Sequence, residues 1–393
     1  MKTVRRIFLG VIILVIGVSI VGKVVAQGEL ERKLETYLQV LDIVKNDYVE
    51  KDLDDEKLVY GSIRGMLAAL DDPYTRFMEP KAFKEMKIRM GGTYSGIGIY
   101  IGMKKHQLTV ISPIESTPAY EAKLKAGDKI MTIDGKSTKD MALAEAVSLI
   151  RGPQGTAVKL GILRKGWEDP KEIGITRAKI KIKSLKMETL DGNIAYIKLN
   201  TFESLRGAHE FEKALRQSKN ADGLIIDLRG NGGGLLQNAI EIGSMFIERG
   251  MIVQTVDREK RREQIESTGR ILWRKPTVVL INEASASASE ILAGALRDNN
   301  AATLVGTKTF GKASVQNVRR LNDGSALLVT IAKYLTPSGE DINKKGIAPD
   351  IEVMLPSEEA EVVLEIEEEE EDIQLQKAIE VLRSMIRERV GGG

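Results

Sequence analysis

Three serines alternate with alanines in the stretch Ser285–Glu290, directly after the apolar, β-branched run Val278–Ile281. The run predicts a buried strand, and Ile291–Leu296 after the serines predicts a helix. A serine at such a strand-to-helix turn lies at the positive end of the helix dipole, where an anion is stabilised. Ser287 and Glu290 also fit a capping box, in which serine only caps the helix. This stretch alone leaves nucleophile and cap equally open.

A nucleophilic serine needs a group that removes its proton. The chain has two histidines, His106 and His209, and a surface or packing role is the better interpretation of each. Lysine can act instead when burial lowers its pKa and keeps it neutral. Lys312 follows Phe310-Gly311 and precedes Ala313. These small and apolar neighbours make Lys312 the candidate base.

Gln316 is a candidate partner for this lysine. In an extended segment, alternate side chains share a face, so Lys312, Ser314 and Gln316 would lie together. An amide could then orient the lysine by a hydrogen bond without adding charge.

The segment Gly230–Gly234 is glycine-rich and lies between a predicted strand, Gly223–Leu228, and a predicted helix, Leu235–Phe246. A dinucleotide fingerprint is not met, because Leu235 stands where its last glycine is required. Amides crowded at a helix start can instead hold an oxyanion.

A second glycine-rich stretch, Gly306–Ala313, comes close to a phosphate-binding P-loop. Ala313 cannot supply the hydroxyl that holds magnesium, and residues 314–318 predict a strand where a P-loop needs a helix. Nucleotide binding is therefore not favoured.

Length and composition restrict the remaining choices. With 393 residues, the chain is expected to form two or three domains. A net charge of +2 gives no argument for nucleic acid, and the absence of cysteine excludes disulfides and thiolate sites. With few histidines as well, we expect no metal and no cofactor.

Residues 1–26 predict a signal peptide or membrane anchor. A basic start precedes the apolar run Ile7–Val21, and Ala26 offers a small residue before a cut. Either form places the rest outside the cytoplasm, in the periplasm or at the outer face of the cytoplasmic membrane.

The remaining chain divides into four predicted regions. Residues 27–90 show two apolar helical stripes, which indicate packing or dimerisation but no visible chemistry. Residues 91–176 contain short strands, including Gly96–Ile101, and residues 177–355 alternate strands and helices, which predicts an α/β core with a parallel sheet. Residues 356–393 hold an acidic run, Glu367–Asp372, and a predicted helix, Ile373–Val390.

Four pieces of residues 91–176 together resemble a PDZ domain in order and spacing. They are Tyr94–Gly98, Ser116–Ala119, Leu124–Asp128 and Ile133–Gly135. In that family, backbone amides of a glycine-rich loop bind a peptide's C-terminal carboxylate, and the peptide pairs along the sheet edge. The resemblance implies peptide binding at Gly96, Ile97 and Gly98.

Taken together, Ser285–Glu290, Phe310–Gln316 and Asp227–Gly234 resemble the carboxyl-terminal processing peptidases, PDZ-containing serine peptidases of family S41. Asp71–Thr75 and Gly346–Asp350 are also similar to segments of that family. The resemblance implies a multi-domain α/β fold. Its protease core would be crotonase/ClpP-like, with an inserted PDZ domain and helical terminal regions.

The same resemblance implies roles for individual residues. Ser287 would be the nucleophile, Lys312 the base and Gln316 the residue that orients it. The amide of Ala288 and one amide from Gly232 or Gly233 would form the oxyanion hole. In this family the PDZ domain often gates the site, so a misaligned resting Lys312 is expected.

These roles and the predicted signal together indicate an endopeptidase that cleaves extracytoplasmic proteins with non-polar C-termini and binds no nucleic acid. The apolar stripes of the helical ends indicate self-association as a homodimer or a higher homo-oligomer. Two alternatives stay open: a catalytically silent PDZ adaptor and a crotonase-type acyl-CoA enzyme.

Overall fold

The structure, a computed structural model, describes residues 28–104, 107–181, 184–354 and 372–391. The predicted signal or anchor, His106 and all of the acidic run before Asp372 lie outside these residues. The chain divides into two compact units, residues 1–71 and 72–393. In the described ranges, none of the helices has the length and apolar character needed to span a membrane.

The first unit contains two helices, α1 over 28–47 and α2 over Asp55–Ala68. Asp54 caps α2 by accepting a hydrogen bond from the Lys57 amide at 3.0 Å. The helices are joined by Tyr37 and Ser62, whose hydroxyls lie 2.8 Å apart. Many large apolar side chains here are exposed: Leu30, Leu34, Tyr37, Leu38, Val40, Ile43, Val59, Met66 and Leu70.

The second unit begins with a short strand, β1 (Arg76–Met78), and helix α3 (Pro80–Met90). The predicted helical region 27–90 therefore also contains a strand, β1, which its sequence pattern does not indicate. Three residues are too few to show a period, and the pairing partner of β1 lies about 250 residues later along the chain.

A small β-domain follows. Its strands are β2 (Thr93–Gly96), β3 (Ile99–Lys104), β4 (Gln107–Pro113), β5 (Lys129–Ile133), β6 (Lys136–Ser137), β7 (Ala157–Leu163), β8 (Lys171–Thr176) and β9 (Ala178–Lys181). Its helices are α4 (Pro118–Glu121) and α5 (Leu143–Ile150). The main sheet has the order β3-β4-β5-β7-β8, with β6 on β5, and β2 pairs with β9. Strand β3 is thus an open edge.

The predicted strand Gly96–Ile101 is interrupted at Ile97-Gly98. Gly98 has φ +81°, and a Cβ there would lie 2.4 Å from Cβ of Thr117. Only glycine fits this turn, so the chain leaves β2 and re-enters the sheet as β3.

The α/β core follows in chain order. Its strands are β10 (Leu185–Leu190), β11 (Ile194–Leu199), β12 (Gly223–Asp227), β13 (Met251–Asp257), β14 (Arg262–Glu266), β15 (Thr277–Ile281), β16 (Thr303–Gly306), β17 (Ser314–Arg320), β18 (Ala326–Leu335) and β19 (Ile351–Glu352). Its helices are α6 (Gly207–Gln217), α7 (Leu236–Ser244), α8 (Ala288–Asp298) and α9 (Ile373–Gly391).

A six-stranded sheet, β10-β11-β12-β15-β16-β19, forms the centre of the core. Only β10 runs antiparallel to its neighbour; the other pairs are parallel. Ile226 and Val279 face α6, α7 and α8, whereas Ile225 and Val278 face α9. Burial on both faces explains the continuous apolar runs and confirms the predicted α/β core.

A second, antiparallel sheet has the order β1-β18-β13-β14, with β17 also on β18. It brings residues from both sides of the β-domain together, because β1 precedes that domain and β17 and β18 follow it.

Candidate active site

Ser287 occupies a strained turn between β15 and α8. It stands immediately before the helix with φ 56° and ψ −114°, a backbone conformation that side chains other than glycine seldom adopt. The Glu290 carboxylate accepts a hydrogen bond from the Ser287 amide at 2.8 Å, which supports this conformation. The turn presents Ser287, half-buried, at the wall of a cavity.

The other two serines are fully buried and hold the glycine-rich loop. Ser285 donates its hydroxyl to the Leu228 carbonyl at 2.8 Å, and Ser289 donates to the Asn231 carbonyl, also at 2.8 Å. Their hydroxyls are therefore engaged in structure. Of the three alternating serines, Ser287 alone lines the cavity.

The cavity has a volume of about 390 Å³ and lies between the central sheet's helices and the second sheet. Its apolar lining comprises Met86, Met90, Leu235, Leu236, Ile291, Val315, Val318 and Leu328. Its polar lining includes Arg76, Arg89, Thr201, Glu203, Ser287, Lys312, Ser314, Gln316 and Tyr334. Such a mixture suits a peptide segment with apolar side chains and a polar backbone.

Gly233 lets the glycine-rich loop pass against the serine turn. Its φ is +93°, and a Cβ would lie 2.6 Å from the Ala286 carbonyl oxygen and 2.8 Å from the Ala288 nitrogen. The Gly233 amide donates to Asn231 Oδ1 at 2.9 Å. The amides of Gly232 and Ala288 have no acceptor among the described residues. Of the two glycine amides left open by sequence, Gly232 is thus the one free to bind an anion.

Lys312 is half-buried on the same cavity. Burial lowers the pKa of Lys312, the positive charge of Arg76 lowers it further, and the carboxylates of Asp72 and Glu290 oppose these effects. Its Nζ lies 4.7 Å from the centre of the Tyr74 ring. Of its sequence neighbours, Phe310 is 56% exposed, whereas Ala313 is fully buried.

Gln316 also lines the cavity, but its hydrogen bonds are made to residues other than Lys312. Its Nε2 donates to Ser314 Oγ at 2.7 Å and lies 3.5 Å from Thr330 Oγ1. The expected alternation assumed a regular strand from residue 312. Strand β17 instead begins at Ser314, and its register shifts between Val315 and Gln316.

Glu290 has a larger role than the capping box predicted. It is fully buried, and Oε2 accepts from the Lys312 amide at 2.9 Å as well as from Ser287. Oε1 accepts from the Thr309 hydroxyl at 2.6 Å and the Gly311 amide at 2.7 Å. One carboxylate therefore joins the backbone of the serine turn to that of the lysine segment. Sequence could show only the Ser287 contact, since the other donors lie about 20 residues away.

The segment before α3 also contributes to the site, contrary to the expectation that residues 27–90 show no chemistry. Asp72 accepts from the Thr75 hydroxyl at 2.7 Å, and Thr75 Oγ1 accepts from the Thr330 amide at 3.0 Å. These bonds hold Tyr74 and Arg76 beside Lys312. The similarity of Asp71–Thr75 to a family segment marks this stretch in the sequence, but its residue types alone do not indicate a role in the site.

The β-domain carries a smaller cavity of about 200 Å³ beside the open edge β3. Gly96, Ile97 and Gly98 line it together with Val147 and Ile150 of α5. The carbonyls of Ile97 and Gly98 accept from the amides of Ala119 (2.8 Å) and Ile114 (2.9 Å). The amides of Ile97 and Gly98 donate to none of the described residues, so they are free to bind a carboxylate.

No cluster of metal-ligating side chains occurs within the described ranges. His209 lies exposed on α6, as a surface role requires.

Comparison with known proteins agrees with this arrangement. The model for peptidase family S41 matches residues 193–353, that for the PDZ domain residues 85–163, and that for the activating protease CtpB N-terminal domain residues 19–82. A carboxyl-terminal-processing protease of Synechocystis sp. is 41% identical over 322 residues, 80% of this chain and 75% of the relative. The chain belongs to the carboxyl-terminal processing proteases of family S41.

A second relative supports the family, and one solved structure supports the fold. The carboxy-terminal processing protease CtpA of Bacillus subtilis is 38% identical over 329 residues, 83% of this chain and 70% of the relative. A solved S41 protease from Bacteroides fragilis has a similar fold, with a TM-score of 0.50 at 17% identity over 78% of this chain and 84% of that one. The carboxyl-terminal processing protease described here is thus a serine-type peptidase with a PDZ domain, and the predicted family, fold class and enzyme class are confirmed.

Proposed function

We propose that this protease cleaves extracytoplasmic proteins near non-polar C-termini, with Ser287 as nucleophile and Lys312 as general base. The observation that carries the proposal is the cavity shared by the two residues. Ser287 is the one serine of its run that lines the cavity, and burial lowers the pKa of Lys312, which lines it as well.

Neutral Lys312 takes the proton of Ser287 as Oγ attacks the peptide carbonyl. The amides of Ala288 and Gly232 bind the developing oxyanion. Lys312 then protonates the departing amine, which leaves an acyl-enzyme on Ser287. Water, deprotonated by Lys312, releases the shortened protein and restores both residues.

Gln316 is proposed to orient Lys312 during this reaction. Its amide now donates to Ser314, and the lysine lies over Tyr74. A rotation of Gln316 away from Ser314 would let its oxygen accept from Lys312. On this proposal, the contacts of Gln316 with Ser314 and of Lys312 with Tyr74 belong to a resting site.

The substrate's tail is proposed to bind along β3, with its carboxylate on the amides around Ile97 and Gly98. The apolar cavity walls, Ile99, Ile101, Val147 and Ile150, favour a non-polar terminal side chain. Gly96 admits the close approach of Tyr94, whose ring would lie 3.0 Å from a Cβ at this position.

Self-association as a homodimer is proposed from the first unit. Its exposed leucines, which include Leu30, Leu34 and Leu38, are each more than half exposed, and a second copy of the same surface would cover them. Export and membrane anchoring rest on residues 1–26 and their sequence pattern alone.

The test uses the full chain and an unfolded protein ending in apolar residues, with fragments identified by mass spectrometry. We expect Ser287→Ala and Lys312→Ala each to reduce kcat by at least about a thousandfold. Lys308→Ala, an exposed lysine four residues earlier, is the matched control and should retain activity. Undiminished cleavage by either active-site variant would overturn the mechanism.

A further inference from the structure

Arg229 lies at the start of the glycine-rich loop and is held from one side by the central sheet. Its Nε donates to Asp227 Oδ1 at 3.0 Å and its Nη2 donates to Asp227 Oδ2 at 2.8 Å. Asp227 is fully buried at the end of β12. The sheet therefore fixes one edge of the guanidinium.

Asp372 holds the opposite edge. Nη1 donates to Asp372 Oδ1 and Nη2 donates to Asp372 Oδ2, both at 2.7 Å. Paired, parallel bonds of this kind fix the plane of a guanidinium as well as its position. The Arg229 side chain is only 14% exposed, so this ion pair is screened less than a surface pair.

Asp372 is itself fixed by the C-terminal helix. Its Oδ1 accepts from the Leu375 amide at 3.0 Å, which caps the start of α9. Ala378 and Leu382 of α9 are fully buried against the face of the sheet that looks away from α8. Asp372 and α9 lie beyond residues 193–353, the part that matches the S41 model.

Arg229 connects this helix to the candidate oxyanion donor. Gly230 donates to Asn282 Oδ1 at 3.0 Å, and the Asn231 amide donates to the Leu228 carbonyl at 3.1 Å. Gly232 follows, between Asn231 and Gly233, which are themselves joined through Asn231 Oδ1. The path of the backbone at residues 229–231 therefore decides where the Gly232 amide points.

We propose that Asp372 is a positioning residue for catalysis: by fixing Arg229 from the C-terminal helix, it aligns the Gly232 amide with the Ser287 turn. This inference rests on the proposed role of Gly232. A donor must be placed within about 0.5 Å to be effective, so a small displacement of the loop is enough to slow the reaction.

The test compares three full-length variants. Asp372→Asn keeps a good helix cap but removes the charge that binds Arg229. Asp372→Glu restores the charge and serves as the rescue variant. Glu380→Gln is the matched control, because it breaks an ion pair with Lys377 (2.9 Å) on the same helix, away from Arg229.

For Asp372→Asn we expect kcat to fall about 3- to 10-fold, less than the roughly 100-fold loss that follows removal of an oxyanion donor. KM should stay within about twofold, because a donor that acts in the transition state contributes little to substrate binding. The rate at which a fluorophosphonate modifies Ser287 should fall in parallel. Asp372→Glu should recover part of kcat, and Glu380→Gln should match the unaltered protein in kcat and Tm.

The inference is overturned if Asp372→Asn has unchanged kcat, if only its KM rises, or if its losses are matched by Glu380→Gln. Should Asp372→Asn fail to fold, Asp372→Ser takes its place, because serine also caps a helix but lacks the charge that binds Arg229, and its fluorophosphonate rate and kcat decide. Unaltered values there also overturn it. Ser287→Ala is measured beside these variants. If it still cleaves, the proposed function fails; if it is inactive while Asp372→Asn is unimpaired, only this inference fails.

Discussion

Arg76 and Lys312 are two cations on one cavity, and this proximity has a measurable effect on pH dependence. Burial lowers the pKa of Lys312, and Arg76 lowers it further. Replacing Arg76 by glutamine removes the second effect, so the pKa of Lys312 rises. The neutral fraction of the lysine then falls at any given pH. We expect the rising limb of kcat/KM against pH to move to higher pH in Arg76→Gln.

Arg89→Gln is the matched control for this shift. Arg89 lines the same cavity but is paired with Glu203 at 3.0 Å, and it is not among the groups that shift the lysine. In Arg89→Gln, the rising limb of kcat/KM against pH should stay at the same pH even if KM changes. A limb that moves to lower pH in Arg76→Gln, or does not move, would contradict Lys312 as the base.

Gly232 and Gly233 are neighbours with opposite tolerance for a side chain. At Gly233 a Cβ would lie within 2.9 Å of three atoms of the serine turn, and φ is +93°. At Gly232 no atom lies within 4 Å of such a Cβ. We expect Gly233→Ala to lower the free energy of unfolding by about 1–3 kcal/mol and Gly232→Ala to change it by less than about 0.5 kcal/mol. Urea unfolding measures both. Equal losses would show that the loop is not packed against the turn.

In the sequence, the neighbours of Lys312 mark it as the candidate base, whereas only the family resemblance selects Ser287 among the three serines. The structure adds a physical reason for choosing Ser287 as the nucleophile, because the hydroxyls of Ser285 and Ser289 donate hydrogen bonds to backbone carbonyls at the glycine-rich loop. Sequence could not predict that the Glu290 carboxylate joins the serine turn to the lysine segment. Its donors at Thr309 and Gly311 are brought near by the fold and not by any local pattern.

At the scale of elements, β1 joins the segment before the PDZ domain to the site. Thr75 makes the connection, since its hydroxyl donates to Asp72 and accepts from the Thr330 amide of β18. Thr75→Val keeps the shape but leaves both partners without that bond. We expect a loss of about 1–3 kcal/mol in the free energy of unfolding, together with a lower kcat/KM as Tyr74 and Arg76 lose their support.

Thr36→Val is the control for that substitution. Thr36 donates to the Arg32 carbonyl on the exposed surface of α1, where water can replace the hydroxyl. Its unfolding and activity should match those of the unaltered protein. If Thr75→Val behaves the same way, the Thr75 hydroxyl is not needed to build the site.

Elements with a long, regular pattern were predictable, and short or irregular ones were not. β15 and α8 follow from an apolar run and a helix-start signal. β1 is too short to show a period. The shift in β17 at Gln316 arises from its pairing with β18, which no local spacing encodes.

At the scale of the whole molecule, a parallel sheet buried on both faces was visible in the alternation of apolar strands and helices. The second sheet was not, because its strands come from β1, β13, β14, β17 and β18, which are widely separated along the chain. Long-range pairing of this kind leaves no signal within a window of 11 to 18 residues, about the length over which periodicity is read. The site lies where the two sheets' elements meet, so its full lining could not be predicted either.

The first unit offers the last prediction, which concerns assembly. Leu34 and Leu38, one turn apart on α1, are 52% and 60% exposed. Burying a leucine stabilises an interface by about 1.5–3 kcal/mol at most, and in a symmetric dimer each substitution counts twice. Leu34→Ser/Leu38→Ser should therefore raise the dimer's Kd by roughly a thousandfold or more, as measured by sedimentation. Glu31→Ser/Glu35→Ser, exposed polar positions on the same helix, should leave Kd nearly unchanged, because no apolar surface is lost. An unaltered chain that stays monomeric at about 100 μM, where even a dimer with a micromolar Kd would be populated, would contradict the dimer. A dimer that survives both leucine substitutions would place its interface elsewhere.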